Sequence, residues 1–480
     1  MTLLEYDTWY RSGYHRTSSA LTTTAFIISD LIGVMGSIGW GFFCLKMYEW
    51  SCINFKSFVT YWPYLPVFIL IFQILSLYPG ISLAPAEELR RFTIGSFMAH
   101  GGIIMSRVIE SQEWDTVNSA LIVSCIFSII ILLTARHITH KLLYITKLGG
   151  ISAVIYGSGN TGKLVVDRLL NSKKSGYLPV LILDDEPDSP DLYRGIPVIH
   201  DTMAGPEIVK RYKIRMAIVA MSNMDSNKLK YLLNYSVSAF RYNVLIPDFF
   251  NATNIWMSVR DFDGILGFVT SHRLRMSWTL GIKRFTDIVL VVIGGIILLP
   301  LLLIIALMIK ISSPGPVLYK HKRIGMNGKP FSAYKFRSMV LDSEERLNQL
   351  LESDSELRKE WETNFKLRND PRITTIGKIL RRTSFDEFPQ LINILKGEMS
   401  LVGPRPIVEA EAEKYGDDYI RIFSVRPGLT GLWQVSGRSN TDYNERVAYD
   451  MYYLQSWSVW LDIWVLLKTF SVVLKGKGAY

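Results

Sequence analysis

Cysteine is scarce in this chain: among 480 residues only Cys44, Cys52 and Cys125 occur. All three precede Arg136 and none forms a CxxC pair, which excludes a disulfide framework, a thiolate metal site and thiol catalysis. Charge is thin as well, a fifth of all residues, and no run of one sign is dense enough to single out nucleic acid. The net charge of +10 therefore points to anionic lipid and phosphate-bearing substrates. No short apolar core with an A-x-A-like site follows Arg11, His15 and Arg16, so no cleaved signal peptide is expected. What the chain does have is long apolar runs, crowded before Arg136 and again between Ile288 and Ile309. Two hydrophilic stretches remain, the pattern of a membrane protein with soluble modules and two or three domains.

Four apolar segments open the chain: Thr22 to Leu45, Tyr61 to Tyr78, Phe92 to Val108 and Thr116 to Ala135. Each approaches the ~20 residues that cross a bilayer core. Arg90 and Arg91 lie in the second loop, Glu110, Glu113 and Asp115 in the third, and Arg136, His137, His140, Lys141 and Lys147 at the exit. This asymmetry puts both ends of a four-helix transmembrane bundle, residues 1–145, in the cytoplasm. The alternative is the helical core of a soluble protein.

The pattern then changes to ISAVIYGSGNTGKLVVDRLL, an apolar strand running into Gly157, Gly159 and Gly162 and an amphipathic helix. That is a dinucleotide-type turn, and Asp184 and Asp185 end the next apolar run where an acid would meet a ribose hydroxyl. A Rossmann-like cytoplasmic domain is expected over residues 146–270. Such a turn either binds a nucleotide or merely lets helix and strand pack closely.

From Ile288 to Ile309 the chain carries no charge, yet basic residues flank it on both sides: Lys283 and Arg284 before, Lys310, Lys320, Lys322 and Arg323 after. Pro300 near the middle removes a helix hydrogen bond and clashes with the preceding turn. We expect a re-entrant helix over 283–310, broken at Pro300, that dips into one leaflet and returns; the competing reading is a kinked fifth span.

Beyond it come SPGPVLYKHKRIG, YKFRSM, FKLRNDPRITTIGKILRRTSFDEFPQLINILKGEMSLVGPRP and RPGLTGLWQVSGR, in order and without large gaps. Asp386 and Glu387 follow Arg381 and Arg382 and precede the apolar face of Phe388, Leu391, Ile392 and Leu395. Pro389 belongs in a first helical turn, which sets Asp386 at or next to an N-cap, where amides and the helix dipole favour an ionised carboxylate with a phosphate beside it. By themselves Ser384 and Glu387 also have the S-x-x-E form of a capping box, a purely structural start of a helix. Arginines 381, 405, 426 and 438, spread through successive Gly/Pro turns, suit phosphates better than a helix start does.

These motifs resemble the polyprenyl-phosphate sugar-phosphotransferases, the monotopic phosphoglycosyl transferases that begin O-antigen, capsule and exopolysaccharide synthesis. With the bundle, the Rossmann-like module and the terminal GAY, the chain looks like the large undecaprenyl-phosphate galactose phosphotransferases. The resemblance covers about Lys283 to Tyr480 specifically and the rest loosely. It implies a mainly-α, membrane-associated catalytic domain, residues 280–480, in the bacterial inner membrane. It matches Asp386 to the nucleophile and Glu387 to its partner acid, with Mg²⁺ at the pair, which would offset the repulsion between a carboxylate and phosphates. Attack on the donor's sugar-linked phosphate would give an acyl phosphate and release UMP, and undecaprenyl phosphate would then displace the aspartate.

Lys335, Arg337, Arg381 and Arg405 are the candidate phosphate contacts, and Arg426 and Arg438 candidates for holding UMP. Gly428, Gly431 and Gly437 either admit the donor or build turns. Asp450 matches a family polar position. Near the end, Trp457, Trp460 and Trp464 form a stripe interrupted by Asp462 and Lys468, either an interfacial helix or a core face. Galactose is the expected hexose and glucose the runner-up; a homodimer is expected through the middle module. The rivals from other classes are a membrane nucleotide-sugar dehydratase or epimerase, for which no Tyr-x-x-x-Lys follows in place, and a transporter or sensor, which leaves the motifs after Lys310 without a task.

Overall fold

The structure is a computed structural model that describes residues 3–10, 19–49, 62–80, 83–112, 114–146, 150–171, 176–186, 190–221, 224–246, 257–262, 265–270, 274, 277–341, 343–353, 370–436 and 443–474. Two compact units divide at Asn251/Ala252.

In the first unit, α1 (Leu3–Trp9) precedes the apolar helices α2 (Ser19–Glu49), α3 (Leu65–Ile74), α4 (Pro85–Ser111) and α5 (Thr116–Ile145). Helices α2, α4 and α5 are long and apolar enough to cross a membrane. Among the described residues the second expected span is not: with the turn before it, the apolar helix there covers Trp62–Ile74, ~20 Å against a hydrocarbon core of ~30 Å. Its helix stops there because Ser76 takes a left-handed conformation and Pro79 follows. Helices α2 and α5 pack along their lengths, and Gly41 makes this possible, since a Cβ there would meet the Ser124 hydroxyl and the Ala120 carbonyl. Arg136 and Asp30, both buried, pair at 2.8 Å, and the Tyr78 hydroxyl donates to the same carboxylate at 2.8 Å. This pair ties both long helices to the chain leaving α3.

The soluble part of this unit is a doubly wound sheet: β1 (Ile151–Tyr156), α6 (Asn160–Asn171), β2 (Tyr177–Leu183), β3 (Leu192–Tyr193), β4 (Ile196–Ile199), α7 (Gly205–Tyr212), β5 (Met216–Val219), α8 (Ser226–Tyr235) and β6 (Tyr242–Leu245). The strand order is β3-β4-β2-β1-β5-β6, parallel except for β3. β1 and β2 are near-continuous apolar runs because helices cover both faces. Gly157 sits at φ +105°, and a Cβ on Gly162 would strike the Gly157 carbonyl, so the glycines are required by the turn itself. Asp184 accepts from the Ser158 amide, and Asp185 accepts from the Thr202 amide at 2.8 Å and its hydroxyl at 2.7 Å. Both acids expected near a ribose are thus engaged in holding loops.

Two boundaries shift. Helix α1 belongs with the sheet rather than the bundle: Tyr6 is fully buried in the sheet's core, edge-on to Tyr212, and Asp7 pairs with Arg211 at 3.2 Å. The hairpin β7 (Met257–Phe262) and β8 (Ile265–Thr270) falls in the second unit, so the Rossmann-like domain ends well before residue 270.

The second unit continues with α9 (Ser277–Ser312), β9 (Leu318–Ile324), β10 (Pro330–Phe336), α10 (Ser343–Ser353), α11 (Thr375–Thr383), α12 (Leu391–Lys396), β11 (Ser400–Val402), α13 (Tyr419–Ile422), β12 (Gly428–Thr430), α14 (Leu432–Ser436), α15 (Tyr443–Ser456) and α16 (Val459–Leu474). Helix α9 runs without interruption through Pro300, so the expected break does not take the form of a gap between two helices. Its middle is bare, with Ile296 and Ile297 69 % and 72 % exposed. Its two ends, however, are both anchored to the same small domain. At the first, Lys283 pairs with Asp462 at 2.8 Å, Arg284 donates to the Ile394 carbonyl at 2.5 Å, and Asp287 accepts from the Ser400 hydroxyl at 2.7 Å. At the second, Ile305 and Ile309 pack with Phe336 and Leu380. Asp462 and Trp457 are therefore buried parts of that anchor, the indole donating to the carboxylate at 3.1 Å, while Trp460 and Trp464 stay half-buried.

Candidate active site

The acids lie where α11 hands over to α12. Thr374 caps α11 by accepting from the Gly377 amide at 2.9 Å, and Ser384 ends it in a left-handed conformation at φ +59°. A 3-10 turn, Phe385–Gln390, then carries Asp386, Glu387 and Pro389, and the α-helix proper begins at Leu391. Ser384 makes no side-chain cap bond. Glu387 does not reach back to it either: its carboxylate takes the Lys335 ammonium at 2.6 Å. The capping-box alternative is thereby set aside.

Lys335 comes from β10, whose antiparallel pairing with β9 puts Lys335, Ala333 and Arg323 on one face. Asn393, fully buried, clamps β10 to the helix after the acids: it accepts from the Tyr334 amide at 2.9 Å and donates to the Ser332 carbonyl at 2.8 Å. Arg323, Lys335, Glu387, Arg405, Gly428 and Gln434 all line one cleft. Arg381 stands nearby, its Nε donating to the Ser338 hydroxyl at 3.0 Å and its charge acting on Asp386.

The two acids titrate apart. Burial, reinforced by the neighbouring Glu387 charge, raises Asp386 to about 6, against the pull of Lys335 and Arg381. At neutral pH most of this carboxylate is still ionised, the form the sequence reading expected, although its pKa lies above the ordinary value. For Glu387, burial pushes upward but Lys335, Arg405 and Arg323 together win, and its pKa is lowered. His321, half-buried beside Arg323 and Lys335, is lowered to about 4 by that burial and by the two cations.

Not every expected contact meets the cleft. Arg337 is buried, with its terminal nitrogens donating to the Pro314 and Ser313 carbonyls at 2.8 and 2.7 Å, so it organises the loop after α9. Arg426 donates to the Gly397 carbonyl at 2.7 Å and does not line the cleft. Asp450 is fully buried, neither of its oxygens has a hydrogen-bond partner among the described residues, and burial raises its pKa well above the ordinary carboxylate range, so it is set in the interior and not in the cleft. Gly428 lines the cleft and also builds the turn, because a Cβ there would strike Gly403; Gly431 likewise packs against Gly403. Arg438, Gly437 and the terminal GAY lie outside the described residues. Arg323, Asn393 and Gln434 escaped the sequence reading because nothing in their spacing ties them to the acids; only the alternation along KHKRIG hinted that Arg323 shares a face with a strand partner.

Residues 278–476 match the family model for bacterial sugar transferases, and residues 84–239 match a model described as a CoA-binding domain. The undecaprenyl-phosphate galactose phosphotransferase of Salmonella typhimurium is 36 % identical over 384 residues, 78 % of either chain. The chain belongs to the bacterial sugar transferase family. Another member, the UDP-galactose-lipid carrier transferase of Erwinia amylovora, is 35 % identical to this sugar transferase over 77 % of its length and 78 % of the relative's. The UDP-glucose:undecaprenyl-phosphate glucose-1-phosphate transferase of Escherichia coli is 36 % identical over 57 % of this chain and 58 % of its own. The dehydratase alternative finds no support in these relatives, and the transferase match begins at the first turn of α9.

Proposed function

We propose that the protein transfers hexose-1-phosphate, in the first place galactose-1-phosphate, from UDP-hexose to undecaprenyl phosphate, releasing UMP and beginning O-antigen, capsule or exopolysaccharide synthesis. The observation that carries this reading is the acid pair: Asp386 has no salt bridge among the described residues and a pKa near 6, while its neighbour is held ionised by Lys335. Paired acids with separated pKa values divide their roles. Asp386 is then the nucleophile, and Glu387 with Lys335, Arg381 and Arg405 fixes phosphate oxygens around it. Galactose is favoured over glucose because the galactose-named relatives match over more of the chain.

Mg²⁺ belongs to the same proposal. Adjacent hard carboxylates, one without a cation partner, suit an ion usually held by one or two carboxylates plus substrate phosphates; Asp386 and Glu387 would hold it, and it would offset phosphate charge. The inner membrane, with the soluble parts in the cytoplasm, is the matching location, since UDP-sugars are cytoplasmic. A re-entrant course of α9 is supported by its bare apolar middle and by the anchoring of both its ends on one domain; the turn back would fall at Pro300, where a helix hydrogen bond is lost. The test is intact-mass analysis of wild type and Asp386→Asn after incubation with UDP-galactose or UDP-glucose. A hexose-phosphate adduct on wild type alone is expected, faster with galactose; an equal adduct on the variant would overturn the assignment.

A further inference from the structure

Where Gln434 lines the cleft, it and two neighbouring side chains carry buried polar atoms without a hydrogen-bond partner among the described residues. Trp433 and Gln434 are neighbours on α14, and Gln434 lines the cleft. Arg446, in the first turns of α15, holds its guanidinium 4.8 Å from the centre of the Trp433 ring, and Arg405, which also lines the cleft, lies over the same ring at 5.8 Å. Trp433 Nε1 and Arg446 Nε are buried donors without a partner among the described residues, and Gln434 Oε1 is likewise unmatched. Folded proteins rarely leave buried polar groups unpaired, and neighbouring orphans beside a substrate cleft mark a ligand's place. The two lone donors are an indole N–H and a cationic guanidinium, and a Gln amide can turn its NH₂ the same way, so the missing group is an anionic acceptor. Charge balance agrees. Lys335 is matched by Glu387 and Arg381 acts on Asp386, whereas Arg446 makes no salt bridge among the described residues.

We infer that Arg446, braced on Trp433, grips the phosphate that departs with the nucleotide. This rests on the covalent mechanism proposed above. There an Asp386 oxygen bonds to the sugar-bearing phosphorus, and the bond from that phosphorus to the bridging oxygen breaks. The electron pair stays on that oxygen, so the nucleoside monophosphate leaves with one more negative charge. Arg446 and the indole N–H meet this charge. When the lipid phosphate later attacks the acyl phosphate, the nucleotide has gone and Arg446 has no part in that step.

The two half-reactions separate the idea from a structural role. Adduct formation from UDP-galactose, adduct discharge by undecaprenyl phosphate and inhibition by UMP are to be measured on full-length wild type, Arg446→Ala, Arg446→Lys and Trp433→Phe. Arg446→Ala should slow adduct formation ~100-fold and weaken UMP inhibition about tenfold while discharge stays as in wild type; Arg446→Lys should recover part, and Trp433→Phe should show a smaller loss of the same kind. Adduct formation within about twofold of wild type, or equal slowing of both half-reactions with a lowered unfolding temperature, would overturn the inference. Failure of wild type itself to form an adduct would sink the covalent mechanism instead, and UMP affinity would then still test Arg446.

Discussion

Two parts of this molecule begin a helix after a tight turn with acids close by, and they use those acids in opposite ways. In the Rossmann-like sheet, Asp184 accepts from the turn's own amide and Asp185 from Thr202, so the carboxylates are consumed by the fold. In the catalytic domain, Asp386 has no cation within salt-bridge reach among the described residues and a raised pKa, and the cleft lined by its neighbour Glu387 holds more positive than negative charge. A motif tells where a turn lies; whether its polar groups are satisfied internally tells whether the turn serves architecture or chemistry.

The sharpest way to break the contrast is Asp386→Asn. Transfer should fall at least ~1,000-fold in an assay of lipid-linked sugar, because a covalent nucleophile has no substitute. The same variant should unfold at a higher temperature than wild type at pH 7. A carboxyl with a raised folded-state pKa contributes stability at low pH that is lost as pH rises through about 6, and the neutral amide is spared that loss. Next comes Lys335→Ala. Lys335 lowers the pKa of both acids, so its removal should move the acid limb of the rate–pH profile from about 6 to higher pH. The loss should be ~100-fold near that limb and shrink as pH rises, and a uniform loss across pH would contradict this cause.

On the architectural side the effects are smaller. Arg337→Ala should lower stability by ~1–3 kcal/mol in denaturant or thermal unfolding, by orphaning the Ser313 and Pro314 carbonyls, with KM for the UDP-sugar little changed. Asp184→Asn should cost ~1 kcal/mol, seen as earlier proteolysis of the Rossmann-like domain, with transfer nearly intact. A large drop in transfer from Asp184→Asn would erase the distinction between the two turns.

Much was legible from local pattern because local pattern is what apolar periodicity and turn chemistry encode. The apolar runs Thr22 to Leu45 and Thr116 to Ala135, the Gly157 turn, and the acid pair before Pro389 were all visible in this way. Where reach across the chain decided, the sequence was mute. Tyr61 to Tyr78 has the hydropathy of a span, but Ser76 and Pro79 stop it short. Arg337 and Arg381 look alike in the sequence, yet one is engaged by loop carbonyls and the other acts on Asp386.

By itself the sequence determined which segments are apolar, where the turns fall and which carboxylates sit together, since these depend on neighbours along the chain. Only the tertiary structure decided which charges are left unmatched. A hydrogen bond from Ser158 to Asp184, or an ion pair from Lys335 to Glu387, joins residues far apart in sequence, and burial then sets what each remaining carboxylate and guanidinium can do.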